Sequence, residues 1–141
     1  MRSYFLVLFL VGIILITCKS RTTGAIQVNH AVKDTVKIAN DSLSYEIIIV
    51  EPGFYSFLNG TARPRNYYSQ HFLEERNRLF VLEWNIRVDM PFVYPPDLYG
   101  WHIDYNSTID YGYEVNYLLY NYFIYFQMRY HQKLSGFIPR P

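Results

Sequence analysis

Nearly every position from Tyr4 to Ile16 is apolar, and the run stops abruptly at Thr17-Cys18-Lys19. Residues 19–43 mix small polar groups, charges and isolated aliphatics without a sustained period, the pattern of a flexible tether. "YEIIIVEPG" follows, a β-branched run closed by Pro52-Gly53. Its continuous apolarity predicts a short strand over about 45–51, buried on both faces. A lone strand leaves its backbone unpaired, so it requires a partner, either the stretch around "VYPPDLYGWHIDY" or a second copy of the chain. "FYSFLNG" predicts a short helix near 54–59 stopped by Gly60, and Pro64 makes "TARPRN" a loop.

Two longer helical patterns complete the chain. Over about 67–88, Tyr68, Phe72, Leu79, Phe80 and Ile86 recur at helical spacings, with Glu74, Glu75, Arg78 and Arg87 on polar faces and Asn66 placed as N-cap. Met90-Pro91 and Tyr94-Pro95-Pro96 end that helix and impose an extended, proline-rich crossing segment. Over about 111–133, Val115, Leu118, Leu119, Tyr122, Phe123 and Phe126 form a broad stripe, with Asp110 as the expected cap and Gly136 fitting the end. Tyr113, Tyr117, Tyr120 and Ile124 carry apolar character onto the second face, so this helix is either central to the domain or turned towards a partner; these four are the candidate interface. Glu114, Asn116, Asn121, Gln127 and Arg129 argue against a membrane span. The expected fold is mainly α, one small domain over about 44–138.

Composition narrows the function. Aromatic residues make up 19% of the 141, fifteen of them tyrosines, which give apolar area with a polar tip and suit a half-wet surface. A net charge of +1 with scattered Lys and Arg argues against nucleic acid as a partner. The single cysteine excludes an internal disulfide framework and a Cys-based zinc cluster.

That cysteine gives the clearest address. Arg2, the apolar run and the polar "TCKSRTTG" have the layout of an export signal, and the run is shorter than the roughly 20 residues of a spanning helix. Leu15-Ile16-Thr17-Cys18 resembles a bacterial lipobox, although Thr17 and Ile16 are bulkier than its usual residues. Residues 1–17 are then a signal peptide, and Cys18 is the lipidated first residue of a tether over 18–43. The alternatives are an ordinary cut after Ala25 or an uncleaved anchor. The resulting location is the bacterial cell envelope, outer membrane favoured, with the domain outside the cytoplasm. Thr35 and Ser42 lie in Asp-(Ser/Thr)-aliphatic tripeptides that resemble bacterial O-glycosylation sites. Asn40, Asn59 and Asn106 stand in Asn-x-(Ser/Thr) frames, which matter only in a host that N-glycosylates.

Taken together, "IIVEPGFYSFL", "NYYSQHFLEERNRLFVLEWNIRV" and "IDYNSTIDYGYEVNYLLYNYFIYF" resemble a domain-of-unknown-function family of small Bacteroidota lipoproteins, over roughly Tyr45 to Tyr130. The resemblance implies bacterial export and a helical domain and carries no activity with it.

Candidate chemistry is sparse. His71 with Glu74 or Glu75, and His102 with Asp104, share metal-ligand spacing, but two generic pairs read as solvated surface groups. Asp104 with Asp110, or Glu51 with Glu83, could serve acid–base hydrolysis only if the fold brought them together. No nucleophile elbow, P-loop or dinucleotide fingerprint is present. The expectation is no cofactor, no metal and no catalytic set. The partners expected are the membrane through the lipid anchor and a protein or a second copy of the chain. A glycan-binding or small hydrolytic module on the same anchor is the alternative.

Overall fold

The computed structural model describes residues 35–136, and the expected signal peptide and Cys18 lie outside them. Its order is β1 (Thr35–Asn40), β2 (Tyr45–Val50), α1 (Phe54–Gly60), α2 (Gln70–Val88) and α3 (Tyr113–Arg129), with one 3-10 turn, Asp41–Leu43, between the strands. Mainly helical architecture with a short strand and a long connection between the last two helices is therefore what the chain adopts.

The partner of β2 is neither the crossing segment nor a second copy. It is β1, antiparallel, in register from Thr35↔Val50 to Asn40↔Tyr45. Part of the expected tether is thus a strand. The hairpin closes because the Asn40 side chain accepts a hydrogen bond from Ser42 N and Ser44 turns left-handed at φ 51°. Asn40 Nδ2 also donates to Tyr111 O at 2.9 Å, tying the turn to the approach of α3.

β2 is buried on one face only. Ile49 is buried and Tyr45 and Ile47 half-buried, while Glu46, Ile48 and Val50 point outward. A two-stranded sheet meets the helices on one side alone, so its alternate residues face solvent whatever their chemistry.

Pro52 and Gly53 end the strand and start α1. Gly53 has φ +88°, and a Cβ there would come within 2.8 Å of the Tyr125 hydroxyl oxygen, which itself donates to Pro52 O. Phe54 and Phe57 of α1 bury their rings edge-on or tilted against Tyr122 and Tyr125 of α3.

The cap of α2 is Ser69, whose Oγ accepts from Phe72 N at 3.2 Å; Asn66 sits earlier, left-handed at φ 69°. The buried stripe of α2 is Leu73, Asn77, Phe80, Val81, Trp84 and Arg87, so Ile86 is exposed and Arg87 lies inside. The stripe is rotated because its two polar members are bonded. Asn77 Nδ2 donates to Asn116 O and Oδ1 at 3.0 and 3.1 Å. Asn116 Oδ1 also accepts from the Tyr105 hydroxyl, which burial above all, with the nearby Glu74 charge, pushes up to about 12.

α3 is the central element, buried almost all round. Gly112 rather than Asp110 is its N-cap; the Asp110 carboxylate accepts from Gly112 N at 2.9 Å one step outside. The helix stops at Tyr130, before Gly136, and Gln127 Oε1 accepts from Leu134 N to hold the returning chain. Among the described residues no helix is long and apolar enough to cross a membrane.

Candidate functional site

Of the expected interface residues, Tyr117, Tyr120 and Ile124 are buried and Tyr113 is half-buried. Residues 61–69 fold back over that face of α3, where the Tyr117 hydroxyl donates to Arg63 O and its ring lies under Arg65 at 4.7 Å. Tyr120 is packed among Tyr68, Phe72 and Phe80, Asn66 N donates to the Tyr113 hydroxyl, and Ile124 is fully buried. The loop needs an apolar seat, and this face supplies it.

One open apolar surface lies on the outer side of the hairpin, while Phe92 and Val93 on the crossing segment and Leu82 on α2 are exposed elsewhere. Ile48 is 58% exposed and Val50 69%, and across from them Trp101 is 46% exposed. A cavity of about 440 Å³ opens between these residues, with Leu98 and Asp97 on the crossing segment and Tyr122, Phe126 and Tyr130 from the α3 side. A second recess of about 350 Å³ continues along β2 from Ile48 to Ser44, its far wall being Trp101 to Asp104.

The groove stays open because α2 holds the opposite wall. Trp84 Nε1 donates to Trp101 O at 2.9 Å, and the Asn85 amide both donates to Ile103 O and accepts from Ile103 N. His102 shares a hydrogen bond with Asp89 at 2.9 Å. The Trp101 carbonyl and both backbone groups of Ile103 are thereby satisfied by side chains of α2, and no backbone hydrogen bond joins the segment to β2 among the described residues. A strand edge bordering an apolar trench is a surface suited to strand addition or side-chain insertion.

Glu51 is the chemical feature of the cavity. It follows Ile49 by two residues, so the strand's alternation carries its carboxylate to the core-facing side, where it is 6% exposed. Oε1 accepts from the Tyr130 hydroxyl at 3.0 Å. Burial raises the Glu51 pKa, against lowering by the Tyr130 hydrogen bond and the Arg129 charge. Burial likewise raises Tyr130, and the bond to Glu51 reinforces it.

Glu51→Gln tests that burial. Because the folded chain resists ionisation of Glu51, the wild-type protein loses stability as pH rises from the ordinary carboxyl value of 4.5 through the raised folded value. The variant keeps an acceptor for Tyr130 and escapes the loss. Its melting temperature is expected to exceed the wild type's at neutral pH, with the gap closing as pH falls to about 4. A constant gap, or none, rejects the assignment.

The other acids and histidines do not converge. Glu83 pairs with Arg87, Asp110 accepts from Gln70 and Gly112, Asp104 and His71 are exposed, and His102 meets Asp89 rather than Asp104. Among the described residues no group of three or more His, Cys, Asp and Glu is placed to hold a metal ion. Ser42 is exposed on the hairpin turn, and Thr35 opens β1.

The sequence profile of one family, Family of unknown function (DUF6146), matches residues 5–139. No curated protein and no solved structure matches the chain.

Proposed function

The chain belongs to the family of unknown function DUF6146, and from its own residues we propose that it is a lipid-anchored protein of the bacterial cell envelope whose domain docks another envelope protein through the β2 groove. The observation that carries the reading is the rim of Ile48, Val50 and Trp101 around a concave cavity, Trp101 being, with Tyr67 and Phe92, one of three exposed aromatic residues among the described ones. Apolar residues clustered at a concavity mark interaction surfaces, and a central aromatic anchor is their usual energetic centre. The expected lipobox at Cys18 supports the anchor, because acyl chains at about 0.8 kcal/mol per buried methylene outlast any contact the domain makes with lipid. Thr35 and Ser42 are the proposed O-glycan positions, the latter at the turn of the hairpin.

One observation favours a second reading, a carbohydrate-binding module on the same anchor: Trp101 shares its cavity with the carboxylates of Glu51 and Asp97. The aliphatic wall of Ile48 and Val50 offers a sugar no hydrogen bonds, so protein docking fits the whole rim better.

Cys18→Ala tests the anchor. The variant is expected to leave the membrane fraction, and the intact mass of the native protein is expected to begin at an acylated Cys18, with added hexose if Thr35 or Ser42 is modified. Unchanged fractionation together with a mass beginning at Ile26 rejects the lipoprotein reading.

A further inference from the structure

The cavity beside β2 combines three features that together select a ligand chemistry. Its volume of about 440 Å³ fits a side chain or a small molecule. Its lining includes Trp101, which is exposed, and Tyr130, which is half-buried, together with the buried rings of Tyr122 and Phe126, and aromatic rings attract cations. Its charged lining groups are carboxylates, Glu51 and Asp97, and no Lys, Arg or His lines it.

Glu51 is the telling member. A carboxylate 6% exposed, hydrogen-bonded to one tyrosine and in no ion pair among the described residues, is a costly arrangement for a fold to keep. Arg129 acts on it from an exposed position on α3 and does not line the cavity. Strand geometry does not compel the carboxylate either, since an aliphatic at residue 51 would suit the inward phase as Ile49 does. Charges left so placed in clefts are characteristic of ligand sites.

We propose that this cavity binds an ammonium group carried on an apolar chain, with Glu51 as its counter-ion, the aromatic walls enclosing the cation and Ile48 and Val50 covering the stem. The inference rests on reading this groove as the working surface and names what it recognises. The same chemistry is offered by a lysine side chain of a docked protein and by a free alkylamine. Anionic ligands are disfavoured by the two carboxylates, which turns the site away from phosphate, carboxylate and uronic sugars.

The test uses the detergent-solubilised full chain and the indole N–H signals of its two tryptophans. Trp84 is sealed and hydrogen-bonded, whereas Trp101 lines the cavity, so the two report separately. Titration with n-butylammonium chloride is expected to move the Trp101 signal saturably, and n-butanol and sodium butyrate are expected not to. Glu51→Gln is expected to weaken the butylammonium response at least tenfold while both indole signals keep their positions in the free protein. A short extended peptide with one central lysine binding more tightly than butylammonium, and its norleucine counterpart not binding, assigns the source to a protein; the reverse order assigns it to a free amine. Equal responses to butanol and butylammonium, no saturable response, or an unaffected Glu51→Gln variant each overturn the proposal. Because small probes need no partner protein, loss of docking elsewhere does not register in this experiment.

Discussion

Trp84→Ala is expected to cost about 3–5 kcal/mol, the range for deleting a large buried aromatic. Trp84 is fully buried, and its ring meets Tyr99, Tyr122, Phe123 and Phe126 at centroid separations of 4.8 to 6.1 Å. The loss is a large part of the roughly 5–15 kcal/mol that a small domain holds. Two effects combine in it: the void where α2 packs on α3, and the stranded Trp101 carbonyl whose donor was Trp84 Nε1. Trp84→Phe separates them, since it retains most of the packing and loses the donor, so its cost is expected to fall below half that of the alanine variant. Urea unfolding with an unchanged slope checks both. An alanine variant within about 1 kcal/mol of the wild type would mean that Trp84 does not organise this core.

Arg87→Ala is expected to cost a similar amount, about 3–5 kcal/mol, through what it leaves behind. The guanidinium donates to Glu83 Oε1 through two nitrogens, to the Tyr99 hydroxyl at 2.7 Å, to Gln132 Oε1 and to the Lys133 carbonyl, and stacks over Tyr94 at 4.7 Å. Burial works against its charge, but the hydrogen bonds with Glu83 and Tyr99 prevail and its pKa ends above the ordinary value. Removing it orphans acceptors on three stretches of chain at once. Arg87→Lys keeps the charge and loses the planar fork, so it is expected to recover less than half of the stability. Full recovery by lysine would reduce the role of Arg87 to simple charge. Tyr99 and Leu98 lie on the crossing segment that walls the groove, so this variant is also expected to disturb the Trp101 signal.

The helices were legible from spacing because burial on all sides of α3 needs only an aromatic-rich sequence, and residues 113–129 supply one. The rotation of α2 was not. Arg87 reads as a surface residue until Tyr99 and Lys133 are in place around it, and the burial of Asn77 depends likewise on Asn116. The strand pairing was hidden for a related reason. "TVKIAN" is a six-residue alternation set among polar neighbours, while in the more obvious candidate, residues 101–103, the Trp101 carbonyl and both backbone groups of Ile103 are taken by Trp84 and Asn85. The tyrosine-rich face of α3 could read as central or as partner-facing because nothing local announces that residues 61–69 return to cover it.

Glu51 was within reach. Counting by twos from Ile47 and Ile49 places it inward, and a carboxylate on the core phase of a strand is a signal in its own right. What counting could not supply was the cavity, which exists because the crossing segment is stapled to α2 and held off β2.

The most direct test of a tethered domain working through the β2 groove is thiol labelling of the full chain with a membrane-impermeant maleimide, in native envelopes and after detergent purification. Ile48→Cys is expected to react in the purified protein and to be protected in envelopes, while His71→Cys, on the exposed face of α2, reacts in both. Cys18, the only native cysteine, is expected to react in neither, because acylation consumes its thiol. Equal labelling of Ile48→Cys in envelopes and in detergent, or a reactive Cys18, would contradict the account.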